Sequence, residues 1–214
     1  DLDGGAGNDT LTGGAGDDAI TAGTGNDTIT GGAGDDTITV AANYTSADSI
    51  DGGDGADTLA ITTANGTTTI AANTVSNVEA IEMTAAAGGT NVLALAAVTG
   101  VTTVSIENGA DVAASVTGLA TGATVTIEET AAVAHTIDTA AGASVTVNMG
   151  ATKAGSNVTV TDAASVTLGG RAATGDMVAT VLDDVDTTAL SINTTAANDI
   201  DTGAITSTDQ LASI

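Results

Sequence analysis

A nine-residue period runs through the start of the chain and constrains the fold more than any other feature. The copies read Gly4-Gly5-Ala6-Gly7-Asn8-Asp9-Thr10-Leu11-Thr12, then Gly13-Gly14-Ala15-Gly16-Asp17-Asp18-Ala19-Ile20-Thr21, then Ala22-Gly23-Thr24-Gly25-Asn26-Asp27-Thr28-Ile29-Thr30, then Gly31-Gly32-Ala33-Gly34-Asp35-Asp36-Thr37-Ile38-Thr39. The interval Val40 to Asp51 keeps only the acid-x-apolar half, as Asp48-Ser49-Ile50, before a full copy returns at Gly52-Gly53-Asp54-Gly55-Ala56-Asp57-Thr58-Leu59-Ala60. A unit this short buries nothing by itself and must stack on its neighbours. A flexible Gly/Asp linker has no reason to keep an apolar residue two places after each Asp, as this chain does at Leu11, Ile20, Ile29, Ile38 and Leu59.

Composition agrees with a thin, repetitive core. The 214 residues include no Phe, no Trp, no Cys and a single Tyr, so apolar mass comes from Ala, Val, Ile and Leu. Acidic chains poor in aromatics are often disordered, but a mean hydropathy of +0.29 and regular Val/Ile alternation argue for order, at least once a cation is present. Only Lys153 and Arg171 oppose 27 acidic residues, for a net charge of −25, which excludes nucleic acid as a direct partner. Without Cys there is neither a disulfide framework nor a thiolate metal site. No stretch approaches the roughly 18 apolar residues of a membrane span. With no initiator Met and no signal-like start, the chain is expected to be a piece of something longer.

The repeat resembles the G-G-x-G-x-D-x-apolar-x nonapeptide of the RTX family of secreted bacterial proteins, a calcium-binding parallel β-roll motif. The likeness covers about the first 60 residues. Glycines supply the turn conformations, the apolar eighth residue sits in a short inward-facing strand, and two strands close a turn of eighteen residues. Loops two repeats apart then stack on one edge, with Asp9 under Asp27 and more loosely Asp48, and Asp18 under Asp36 and then Asp57. Carboxylates and carbonyls make an all-oxygen cage that suits Ca2+ better than zinc. The resemblance implies further carbonyl ligands, with Gly4 and Ala6 facing Gly23 and Gly25, and Gly13 and Ala15 facing Gly32 and Gly34. Ala22 departs from the pattern in the place of a first glycine, and the Val40 to Ala47 loop has no glycines.

Beyond residue 58 apolar-x-apolar triplets recur at Leu59-Ala60-Ile61, Ile81-Glu82-Met83, Val104-Ser105-Ile106, Val125-Thr126-Ile127, Val145-Thr146-Val147, Val166-Thr167-Leu168 and Leu190-Ser191-Ile192. Fixed spacing and strand-forming Thr and Val predict an all-β chain. The resemblance implies a calcium-binding parallel β-roll over residues 1–60, and the spacing predicts that it continues, over residues 61–214, as a right-handed β-solenoid-like array. A β-sandwich is the alternative for the second part. Asn77-Val78-Glu79-Ala80-Ile81 resembles a segment that often follows RTX blocks in surface proteins.

Enzyme signatures are nearly absent, and no catalytic role is expected. His135 is the only histidine, so a two-histidine zinc motif cannot be built; it shares a strand face with Val133 and Ile137 and reads as structural. Glu128 and Glu129 point to opposite faces of a strand. Tyr44 is expected to cap the roll. Asp183-Asp184-Val185-Asp186 and Asn198-Asp199-Ile200-Asp201 read as acidic turns, with a second cation site as the alternative. Asn-x-Thr sequons such as Asn8-Asp9-Thr10 fall inside the loops and read as accidental.

The resemblance extends, in composition, to RTX-type surface-layer proteins. It implies a cell-surface segment, exported by type I secretion, in which Ca2+ drives folding and assembly with other copies into a two-dimensional lattice, anchored to lipopolysaccharide through other parts of the parent protein. An RTX adhesin is a second reading. An ice-binding domain would need more than the one Gly23-Thr24-Gly25-Asn26-Asp27 loop, and the noncatalytic calcium domain of a secreted hydrolase is a third reading.

Overall fold

A computed structural model describes residues 1–40, 44–63, 66–70, 74–85, 91–95, 98–108, 113–129, 134–149, 157–170, 180–182, 189–194 and 206–207. Among these there is no helix, and every strand pairing is parallel. Parallel pairing throughout the described residues overturns the β-sandwich alternative, which needs antiparallel meanders.

The roll has two walls. One stacks Thr10–Ala15, Thr28–Ala33, Ser49–Asp54 and Val75–Ser76; the other stacks Leu2–Asp3, Ala19–Thr21, Thr37–Thr39 and Thr58–Thr63. Each residue pairs with its equivalent one turn on, so Leu2, Ile20, Ile38 and Leu59 form one inward column and Leu11, Ile29, Ile50 and Val75 the other. These columns are the core, buried from Ile20 onward. Rungs lie ~4.8 Å apart.

The stack does not stop at residue 60. Thr58–Thr63 pairs with Thr37–Thr39 on one side and Ala80–Ala85 on the other, and Thr103–Asn108, Ala123–Glu129 and Ala134–Met149 follow in order. A further wall comprises Gly66–Thr69, Asn91–Ala94, Ala114–Leu119 and the front of Ala134–Met149. The triplets at Leu59, Ile81, Val104 and Val125 pair in the expected order, but Val125 meets Val147 rather than Val145. A slip of two residues keeps the same side chains facing inward, so the core tolerates it.

His135 is buried beside Ile137, and its Nδ1 accepts the backbone N–H of Ala114 at 3.3 Å. Burial lowers its pKa to about 4, so it is neutral at pH 7. Val133 and both acidic turns near the C-terminus lie outside the described residues. Glu128 is exposed, while the side chain of Glu129 lies outside the described set. Tyr44 does not cap the roll, because the stack continues past it; it packs on the flank of the core, its hydroxyl 2.7 Å from Thr74 Oγ1.

Candidate metal centre

Each loop ends in an acid whose second neighbour is the inward apolar residue, so strand register carries the carboxylates into register as well. Two stacks result. In the first, Asp27 Oδ1 accepts the Asp9 N–H at 2.9 Å and Asp48 Oδ1 accepts the Asp27 N–H at 2.8 Å. In the second, Asp36 Oδ1 accepts the Asp18 N–H and Asp57 Oδ1 the Asp36 N–H, both at 2.8 Å. Glu79 extends this second stack, its Oε2 accepting the Asp57 N–H at 2.9 Å. Glu79 is not among the ligands expected from sequence, although Glu79-Ala80-Ile81 repeats the acid-x-apolar spacing of Asp57-Thr58-Leu59. Burial is deep: Asp27, Asp36 and Asp57 are 2%, 1% and 0% exposed.

The second carboxylate oxygens are the informative ones. Oδ2 of Asp9, Asp36 and Asp57 is buried without a hydrogen-bond partner. Leaving a buried carboxylate oxygen unsatisfied is costly unless a cation or donor meets it. Each lies against the first glycine of its own loop, close enough to clash with or crowd a Cβ there. A Cβ on Gly4 would meet Asp9 Oδ2 at 3.1 Å, one on Gly13 would meet Asp18 Oδ2 at 2.7 Å, and one on Gly52 would meet Asp57 Oδ2 at 2.6 Å. Gly31 stands in the same relation to Asp36 Oδ2. The opposite side of each notch is a carbonyl oxygen of the next rung: Ala22 above Gly4, Gly31 above Gly13, Gly52 above Gly31 and Asn77 above Gly52.

A buried carboxylate oxygen with no donor, packed close to a carbonyl oxygen of the next rung, is an oxygen set that a hard cation would satisfy. Among the described residues no three acidic or imidazole side chains converge into a metal-binding group. A cation held here therefore draws on backbone carbonyls together with the stacked carboxylates.

The Asp27–Asp48 rung differs. Ala22 puts a methyl group where the other loops have their first glycine, and Asp48 is already satisfied, its Oδ1 by the Asp27 N–H and its Oδ2 by the Thr45 N–H at 2.7 Å. The remaining ligand candidates sit in register with like positions. Ala6 bridges Thr24 and Ala15 pairs with Ala33, while a Cβ on Gly23, Gly25, Gly32 or Gly34 would strike Gly5, Gly7, Gly14 or Gly16. The carried-over facing pairs are thus diagonal neighbours, one residue off direct opposition. Gly32 also has φ +128°, a conformation L side chains rarely adopt, so both space and backbone demand glycine there.

Asp57 has its pKa raised, first by burial and then by the charges of Asp36, Glu79 and Asp35; the Asp36 N–H works in the opposite direction. Outside this inner stack an exposed ladder staples the loops: Asn8 Oδ1 accepts the Asn26 N–H at 2.9 Å, Asp17 Oδ1 the Asp35 N–H at 3.0 Å, and Asp35 Oδ1 the Ala56 N–H at 2.9 Å.

Residues 3–38 and 45–60 match the sequence profile described as the RTX calcium-binding nonapeptide repeat (4 copies). Over these residues the chain is similar to RTX repeat arrays. RTX nonapeptides bind Ca2+, and the oxygen-lined notches are consistent with that. The RTX β-roll is a structural calcium-binding fold and not a catalytic one, and proteins that carry it are typically secreted. No curated protein and no solved structure matches the chain.

Proposed function

We propose that the chain is a structural segment of a calcium-dependent bacterial surface layer, with residues 1–60 as the calcium-folded roll and residues 61–214 as the part that meets other copies. The observation that carries this reading is the union of calcium loops with a continuous parallel stack on a chain of net charge −25. Exposed acidic groups in such excess repel a second copy until divalent cations intervene. Stacked carboxylates likewise oppose folding of a Gly-rich chain whose core is only two columns wide, so cation binding contributes directly to folding. Extracellular calcium modules bind with Kd on the order of 10⁻⁴–10⁻³ M, which keeps such a chain unfolded before export and folds it outside the cell.

Electron microscopy of the full-length protein in millimolar calcium and in chelator tests the proposal. Ordered sheets that form only with calcium are the expected result. Folded monomers throughout would refute lattice assembly and favour an adhesin segment or the accessory domain of a secreted hydrolase.

A further inference from the structure

The repeat profile ends at residue 60, but the notch geometry does not. Gly52 opens a notch like those at Gly4, Gly13 and Gly31, walled below by Asp57 Oδ2 and above by a carbonyl oxygen. That carbonyl belongs to Asn77, which lies outside the matched repeats. We infer that the calcium ladder runs one rung past the family loops, with a cation site at the junction formed by the Asp57 carboxylate, the Glu79 carboxylate and the Asn77 carbonyl around Gly52.

The pointer to a ligand is Asp57 Oδ2, which is buried, without a hydrogen-bond partner, and directed into the notch on a residue that is 0% exposed. Its sister oxygen is occupied by the Asp36 N–H. Asn77 occupies, on this rung, the register position that Gly52 holds one rung below. It has φ +49°, in the left-handed region that Asn tolerates better than most residues, and its Nδ2 donates to Asp51 Oδ1 at 2.7 Å, fixing the turn. Glu79 takes the place that Asp57 holds one rung below: its Oε2 accepts the Asp57 N–H, and its own N–H donates to the Asp57 carbonyl at 3.1 Å. One rung higher the equivalent position is Thr102, whose Oγ1 donates to the Glu79 carbonyl at 3.3 Å. A hydroxyl there ends the acidic stack, so the Gly52 notch is its last place for a divalent cation. The ion would link the last family loop to the first loop of the following strands.

The inference rests on calcium binding by the family loops and is independent of lattice assembly. Isothermal titration of the full chain with Ca2+ counts the ions. Glu79→Gln keeps an oxygen for the Asp57 N–H but loses the charge, and should weaken one site by about tenfold or more while the others stay unchanged. Asn77→Gly keeps both the left-handed backbone and the carbonyl, and should retain the wild-type count. A wild-type isotherm from Glu79→Gln would overturn the inference. Independently of any variant, anomalous scattering from a Ca2+-loaded crystal of the wild-type chain should show a peak between Gly52 and Asn77. Peaks at the family loops with none at this junction would also overturn it. No calcium uptake at all would instead refute the calcium reading of the loops themselves.

Discussion

Asp57→Asn should change the sign of its effect with calcium, because the carboxylate is a burden without a cation and a ligand with one. Asp57 is fully buried, its Oδ1 holds the Asp36 N–H at 2.8 Å, and Asp36 and Glu79 flank it one rung away on either side. Two charges ~4.8 Å apart at an effective dielectric constant of ~20 repel by about 3 kcal/mol. Asn has the same shape and keeps an oxygen for the Asp36 N–H, so the substitution removes repulsion without emptying the site. In chelator the variant should therefore hold more β structure than the wild type, by up to about 3 kcal/mol in a urea titration followed by circular dichroism. In calcium the order should reverse. Loss of one charged ligand, worth about 1.5–3 kcal/mol, should move the folding midpoint to roughly tenfold or more higher Ca2+. A variant less stable than wild type both with and without calcium would show instead that Asp57 is only a backbone acceptor.

Three further outcomes follow from the same geometry. Gly31→Ala places a methyl group between Asp36 Oδ2 and the Gly52 carbonyl and should abolish its notch, whereas Gly5→Ala, with φ +78° but nothing within 4 Å of the new Cβ, should cost only about 1 kcal/mol and leave the number of bound ions unchanged in a calcium titration. His135 has a folded pKa of about 4, below its ordinary 6.5, so the unfolded chain takes up the proton first; in saturating calcium, stability should fall by about 3 kcal/mol as pH drops from 6.5 to 4, and in urea melts this slope should disappear in His135→Asn. Ile81→Ala empties a position that is 1% exposed between Leu59 and Val104; it should cost about 2–5 kcal/mol in chemical denaturation and raise the calcium midpoint of folding while leaving the number of bound ions unchanged.

Raised by burial and by its acidic neighbours, the Asp57 pKa pulls the calcium-free chain the other way from His135. The folded state holds its proton more tightly than the unfolded one, so this contribution is present at low pH and is lost as pH rises through the folded pKa. Mild acidification in chelator should therefore relieve the acidic stack, whereas in calcium the His135 effect dominates.

The stacked aspartates were legible because a nine-residue period and an eighteen-residue turn leave one way to superimpose acid on acid. The 21-residue step to Asp48 and Asp57 did not disturb them, since the extra residues lie in the loop around Tyr44 while Ile29 still meets Ile50 and Ile38 still meets Leu59. Glu79 is harder to read from sequence because no glycines flank it, and only the acid-x-apolar step from Glu79 to Ile81 remains of the repeat. The satisfaction of Asp48 by Thr45 depends on a turn that no spacing rule announces. The Val125–Val147 pairing escaped for a different reason: alternation fixes which face of a strand is inward but not which inward residue meets which.

On this reading, calcium held by the stacked carboxylates and loop carbonyls folds the roll. Far-UV circular dichroism of the full chain during a calcium titration, with magnesium as the control and chelator to reverse it, tests this most directly. A β signal that grows cooperatively with calcium near 10⁻⁴–10⁻³ M, fails to grow with magnesium and disappears in chelator is the predicted result. Full β signal in chelator, unchanged by calcium, would contradict it.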